Sequence, residues 1–197
     1  MPAFSVSIDG AMLATVCTDG YDVLNIRASG TRIDDHLADL DISGCSYPKN
    51  GNHTHLIWVN ELQLQFGQVI TVSFLEHALS SHTGKTIDEL FQNEEPTTET
   101  DFKPTAEIFT ELRAKPMLRD KFSFRLESSS ENTFAGETAP DAHGFGFSIL
   151  WNSYHPERAR VSLHSYTLDG LESRSPMSNH FEERLNFGSS VRFELIA

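Results

Sequence analysis

The chain has 197 residues and carries 28 acidic against 15 basic side chains, a formal net charge of −13. Such a surface repels phosphate backbones over most of its area, which argues against a nucleic-acid partner. No apolar run approaches bilayer-spanning length, and the opening MPAFSVSIDG lacks the basic stretch and apolar core of a secretion signal, so a cytoplasmic chain without membrane association is expected.

Hydrophobic residues make up 39% of the chain, enough for a substantial core, and its valine, isoleucine, phenylalanine and threonine content favours strands. Residues 4–8 alternate into the turn pair Asp9-Gly10. Residues 12–17 form a second strand ended by Asp19-Gly20, and residues 21–28 a third, with Leu24 and Ile26 inward, before Ser29-Gly30 breaks it. Residues 34–42, DDHLADLDI, change character: Leu37 and Leu40 are three apart and Asp34 is available as an N-cap, so a turn or two of helix, or a loop across the sheet end, is expected. Residues 44–54 are polar and aperiodic, a long turn region.

Residues 55–76 read as strand, turn at Gly67, and strand. Ile70, Val72 and Phe74 fall on one face and are the firmest core assignments, while Trp58 is expected to pack one face on the core and send its indole nitrogen to a partner. After Glu76 the alternation stops. Thr86 followed by Glu89 is a capping-box signature for a brief helix. Residues 93–101, NEEPTTETD, contain no apolar residue and read as an interdomain linker. Residues 104–112 resume helical spacing, with Pro104 near the start and Ile108, Phe109 and Leu112 on one stripe.

A strand over residues 122–126 opens the second half. A long loop over 128–144, strands over 145–151 and 160–166, a turn at Asp169-Gly170 and a closing hairpin follow. That hairpin repeats the first half's phrase: LNFGSSVRFEL lies on LQFGQVITVSF, matching Gly67 with Gly188 and Phe74 with Leu195. The openings FSVSI and FSFRL also match. Similar phrases opening and closing each half suggest two copies of one β domain. The expected fold is therefore all-β: two similar β-sandwich-like domains, residues 1–92 and 117–197, joined by an acidic linker and short helix over 93–116.

Site chemistry is sparse. Cys17 and Cys45 are too few for a disulfide framework, and reduced thiols are the default. His53 and His55, as His-x-His on a strand, point to one side, where they could share a metal. With Gly51, Glu61 and the later Gly67 they loosely resemble the motif of metal-binding barrels of the cupin class, from which the spacing of Gly51 and Glu61 departs. The resemblance implies a metal-dependent enzyme, with His143 as the second-half ligand. Asp34, Asp35, Asp39 and Asp41 lack the glycine and terminal glutamate of an EF-hand loop and read as a solvated face. No phosphate-cradling glycine motif occurs, and no cofactor is expected.

An acidic chain without a catalytic constellation points first to a protein-interaction module, an inhibitor or immunity-type protein that binds a basic protein partner. Residues 87–116 carry eight acidic against three basic side chains, so Glu94, Glu95, Glu99 and Asp101 are the expected contacts. A structural or assembly subunit, joining copies of itself through exposed sheet edges, is the third class.

Overall fold

Side chains that alternate between apolar and polar give a strand one buried face, and that alternation governs most of this chain. The computed structural model describes residues 1–49, 51, 53–92 and 106–196. Its first half supplies β1 (Ala3–Ile8), β2 (Ala11–Cys17), β3 (Val23–Thr31), β4 (Ala38–Ser46), β5 (Thr54–Leu64), β6 (Val69–Leu75) and the single turn of α1 (Ile87–Leu90). After α2 (Ala106–Ala114) come β7 (Ser123–Ser128), β8 (Thr133–Glu137), β9 (Gly144–Asn152), β10 (Arg158–Tyr166), α3 (Leu168–Ser173), β11 (Ser178–Asn186) and β12 (Ser190–Ile196).

The strands form two antiparallel six-stranded sheets packed as a sandwich. The first runs β2-β1-β6-β12-β7-β8 and the second β11-β10-β9-β3-β4-β5. Each half contributes three consecutive positions to each sheet, and the halves meet at β6–β12 and at β3–β9. The division of the chain around residues 93–116 is thus a division of sequence, across which both sheets continue. The reason is physical: one side of β6 is hydrogen-bonded by β12 and one side of β3 by β9, so backbone groups of one half are satisfied by the other.

One hydrophobic cluster joins the sheets and contains buried residues of both halves. Phe147 of β9 stacks on Phe193 of β12 with ring centroids 4.4 Å apart, and Phe145 meets Phe124 at 5.0 Å, so aromatic contacts cross from sheet to sheet. Ile70, Val72 and Phe74 are buried as their alternation predicts, and so are Leu24 and Ile26. Fully burying side chains of this size is worth about 1.5–3 kcal/mol each. The cluster therefore dominates the stabilisation.

Several elements differ from the sequence reading. Residues 38–46 form β4 rather than a helix, because Ala38, Leu40, Ile42 and Gly44 share the inner face with a period of two. β3 continues through Gly30, where the absent side chain leaves room for the Leu37 backbone and the Phe145 ring. The expected loop over 128–144 contains β8, and Asp169-Gly170 lies within α3, capped by the Thr167 hydroxyl, which accepts from the Gly170 N–H at 2.9 Å. The capping box at Thr86 and Glu89 is present. Residues 93–101 and Pro104 lie outside the described residues.

Candidate functional site

A sheet edge presents unpaired N–H and C=O groups, and this sandwich has four: β2 and β8 in the first sheet, β5 and β11 in the second. The first half closes both of its edges with one strap, residues 77–85. The Ser81 N–H donates to Thr15 O at 2.9 Å. The Ser81 and Ser80 hydroxyls accept from the N–H groups of Thr15 and Cys17 on β2, at 3.0 and 2.9 Å. The strap then crosses to the second sheet, where Lys85 and Ile57 of β5 exchange two backbone hydrogen bonds of 2.8 Å. Trp58 lies beneath the crossing and donates its Nε1–H to His82 O at 3.2 Å, while Gly84 leaves room for the indole.

The second half closes its corresponding end with side chains instead. Glu183 of β11 accepts hydrogen bonds from the hydroxyls of Ser128, at 3.0 Å, and Ser130. His180 packs 5.7 Å from Phe134 and hydrogen-bonds Ser165 at 2.9 Å. Among the described residues, no backbone group pairs with the outer side of β8 or β11. Among the described residues, these two edges are open.

Beside β11, the outer face of the second sheet holds a groove of about 330 Å³. Ser148 of β9 and Ser162 of β10, hydrogen-bonded at 3.0 Å, line it together with His164, Arg160 and Asn179, and Leu150 and Met177 add apolar surface. β9 carries glycine at 144 and 146, directly opposite Tyr166 and His164. A Cβ at Gly146 would stand 2.7 Å from His164 Nε2, and one at Gly144 2.5 Å from the Tyr166 hydroxyl, so the two rings lie across β9 where only glycine fits. Burial, reinforced by Arg27, His180 and Arg160, holds His164 below the usual histidine range. Arg160 is paired with Glu182 at 3.2 Å.

The histidine set read from the sequence does not converge. His53 packs against Tyr47, with centroids 5.2 Å apart, and His55 is exposed on β5 opposite Cys45. Glu61 sits at a positive φ of 47° near a β-bulge, where its N–H donates to Asp41 Oδ1 at 2.9 Å. His143 is buried just before Gly144, which pairs with Thr31 at the far end of β3, whereas Cys45 pairs with Val23 at the near end. Nine-residue β3 thus separates His143 from the other two histidines by about 26 Å. No group of three or more His, Cys, Asp or Glu side chains suited to a metal occurs among the described residues. Glu94, Glu95, Glu99 and Asp101 lie outside the described residues. Cys17 and Cys45 are free thiols.

Sequence reading gives no site role to Ser80, Ser81, Gly144, Gly146 or His164, though it places His164 with Tyr166 on one face of their strand. The glycines of FGF and HGF, alternating with phenylalanine, were the available signal: a strand that is aromatic on one face and bare on the other makes room for something on the bare face. No family model, curated protein or solved structure matches the chain. No described helix is long and apolar enough to cross a membrane.

Proposed function

We propose that the chain is a protein-binding module of the inhibitor or immunity kind, which holds a basic partner rather than transforming a substrate. The observation that carries this reading is the contrast between the strapped edges β2 and β5 and the open edges β8 and β11. An extended partner segment beside β11 gains main-chain hydrogen bonds, the source of affinity in strand addition, along a nine-residue strand. A net charge of −13 favours a basic partner, since opposite fields speed encounter and reject acidic competitors. Glu94, Glu95, Glu99 and Asp101 enter as rim charges that act on association rate.

The assembly of the frame supports a further part of this reading, that the halves are copies of one six-stranded unit. Strand order within each sheet is matched about the β6–β12 and β3–β9 seams. The turn glycines bond reciprocally across the first seam: the Gly67 N–H donates to Leu195 O at 2.9 Å and the Gly188 N–H to Phe74 O at 2.8 Å. These are the residues that the repeated phrase aligns.

The test is affinity capture from native cell extract at low and high salt, followed by hydrogen exchange on the recovered complex. The expected outcome is a basic partner whose binding protects amides of β11 or β8, and whose association slows when Glu94, Glu95, Glu99 and Asp101 are changed to their amides. Protection confined to β2 and β5, or turnover of a small metabolite with no partner recovered, overturns the proposal.

A further inference from the structure

Charged side chains flank the groove on the second sheet, acidic and basic in equal number. One cross-strand row on the outer face reads Asp41, Arg27, Ser148, Ser162, Glu182, each directly opposite the next. Its two ends are acidic and occupied: Asp41 accepts the Glu61 N–H, and Glu182 holds Arg160 and accepts from Asn179 at 3.3 Å. Arg27, near the middle of the row, is exposed and makes no ion pair among the described residues, not even with the adjacent Asp41. Its charge is felt instead at His164 and Tyr166, whose rings reach toward β3 across the two glycines. Arg160, the two hydroxyls and a half-buried imidazole line the groove, Glu182 engages Arg160 beside it, and Arg27 stands next to it, directly opposite Ser148.

We infer that this groove binds a small organic anion, whose carboxylate or phosphate is held by Arg27, Arg160 and the hydroxyls of Ser148 and Ser162, and whose apolar part rests on Leu150 and Met177. The volume of about 330 Å³ lies at the lower end of the range for small-ligand pockets, which suits a ligand of modest size. The protein's overall charge of −13 does not forbid an anion here. Exposed charges farther away than about 8 Å are largely screened at physiological ionic strength, so the charges beside the groove decide, and there Arg160 is engaged by Glu182 while Arg27 makes no ion pair among the described residues. Planar guanidinium forks match both carboxylate and phosphate, and the shared acceptor chemistry defines the ligand class. The groove borders β11 through Asn179, but the anion is held by side chains of the sheet face and not by the main-chain edge of β11.

The experiment is a ¹H–¹⁵N NMR titration of the full chain with hexanoate, phenyl phosphate and hexan-1-ol as probes. The expected result is saturable shifts at Ser148, Ser162 and His164 with hexanoate or phenyl phosphate but not with the alcohol, the responding probe identifying the head group. Arg27→Gln weakens binding about tenfold or more, the loss of a charge-assisted contact, and Arg27→Lys restores part of it. Met177→Glu, an exposed change on the groove wall that puts a carboxylate against the ligand, weakens binding as well and tests the site if Arg27→Gln fails to fold. Absence of saturable shifts with both anions, equal shifts with hexan-1-ol, or unchanged affinity in the folded variants overturns the inference.

Discussion

His143, His164 and His180 are each held below the usual histidine range, with burial as the first cause in every case. His36 goes the other way: burial opposes its protonation, but hydrogen bonds to Asp35 and Asp39, the latter 2.6 Å long, outweigh it. Below about pH 6.5 the unfolded chain takes up protons at three histidines that the folded protein keeps neutral, so their contribution is lost as pH falls. The His36 contribution is present below that pH and is lost as pH rises through its raised value. The three buried histidines, with burial as the first cause for each, act together against His36, and the urea midpoint is expected to be lower at pH 5.5 than at pH 7.5. His164→Gln should narrow the gap and His36→Gln widen it; a midpoint that rises on acidification contradicts this assignment. Core positions such as Ile70 and Phe74 were legible because they repeat within one strand. Ser80 and Ser81 were not, since a hydroxyl that caps a strand more than sixty residues away leaves no local pattern.

At the level of elements, periodicity decided correctly wherever both faces were informative and failed where small residues stood in for apolar ones. In β4, Ala38 and Gly44 complete an alternation of which only Leu40 and Ile42 are conspicuous, while Leu37 supplies a helix-like spacing. The match of FSVSI to FSFRL differs from the register across the sheet. Phe4 lies opposite Phe74 and Phe124 opposite Leu195, so with Phe74 and Leu195 aligned, Phe4 corresponds to Phe124 and not to Phe122. A slip of two residues keeps every side chain on its face, which makes it invisible to hydrophobic pattern. The strap is the element most open to experiment. Ser80→Ala removes the acceptor for the Cys17 N–H, and Ser81→Ala the one for Thr15. Each should cost about 1–3 kcal/mol in urea unfolding, because a partly buried donor is left unpaired. Faster hydrogen exchange should appear at Thr15 and Cys17 but not on β1; unchanged exchange there would mean that the strap does not hold β2.

At the scale of the whole molecule, two sandwiches in series and one sandwich shared between two halves have the same strand count and alternation. The sequence reading reached the all-β sandwich, but pairing partners a half-chain apart are written nowhere in local pattern. Sharing has a thermodynamic consequence: residues 1–92 alone would expose the β6 side that β12 covers and the β3 side that β9 covers. Urea unfolding of the full chain should therefore be one transition, coincident by tryptophan fluorescence and far-ultraviolet circular dichroism, with Trp58 reporting from one half and Trp151 from the other. Two separated transitions, or a stable fold of residues 1–92, would contradict the shared core. The same seam constrains synthesis in time. Thr71 meets Arg192 across β6 and β12, so roughly 120 residues must still be added after Thr71 is incorporated before its partner exists. At about 5–20 residues per second that takes roughly 6–24 s, an interval in which a finished half-sheet waits with one bare side. The nascent chain is thus most exposed to mispairing with its neighbours on a polysome before its own second half arrives.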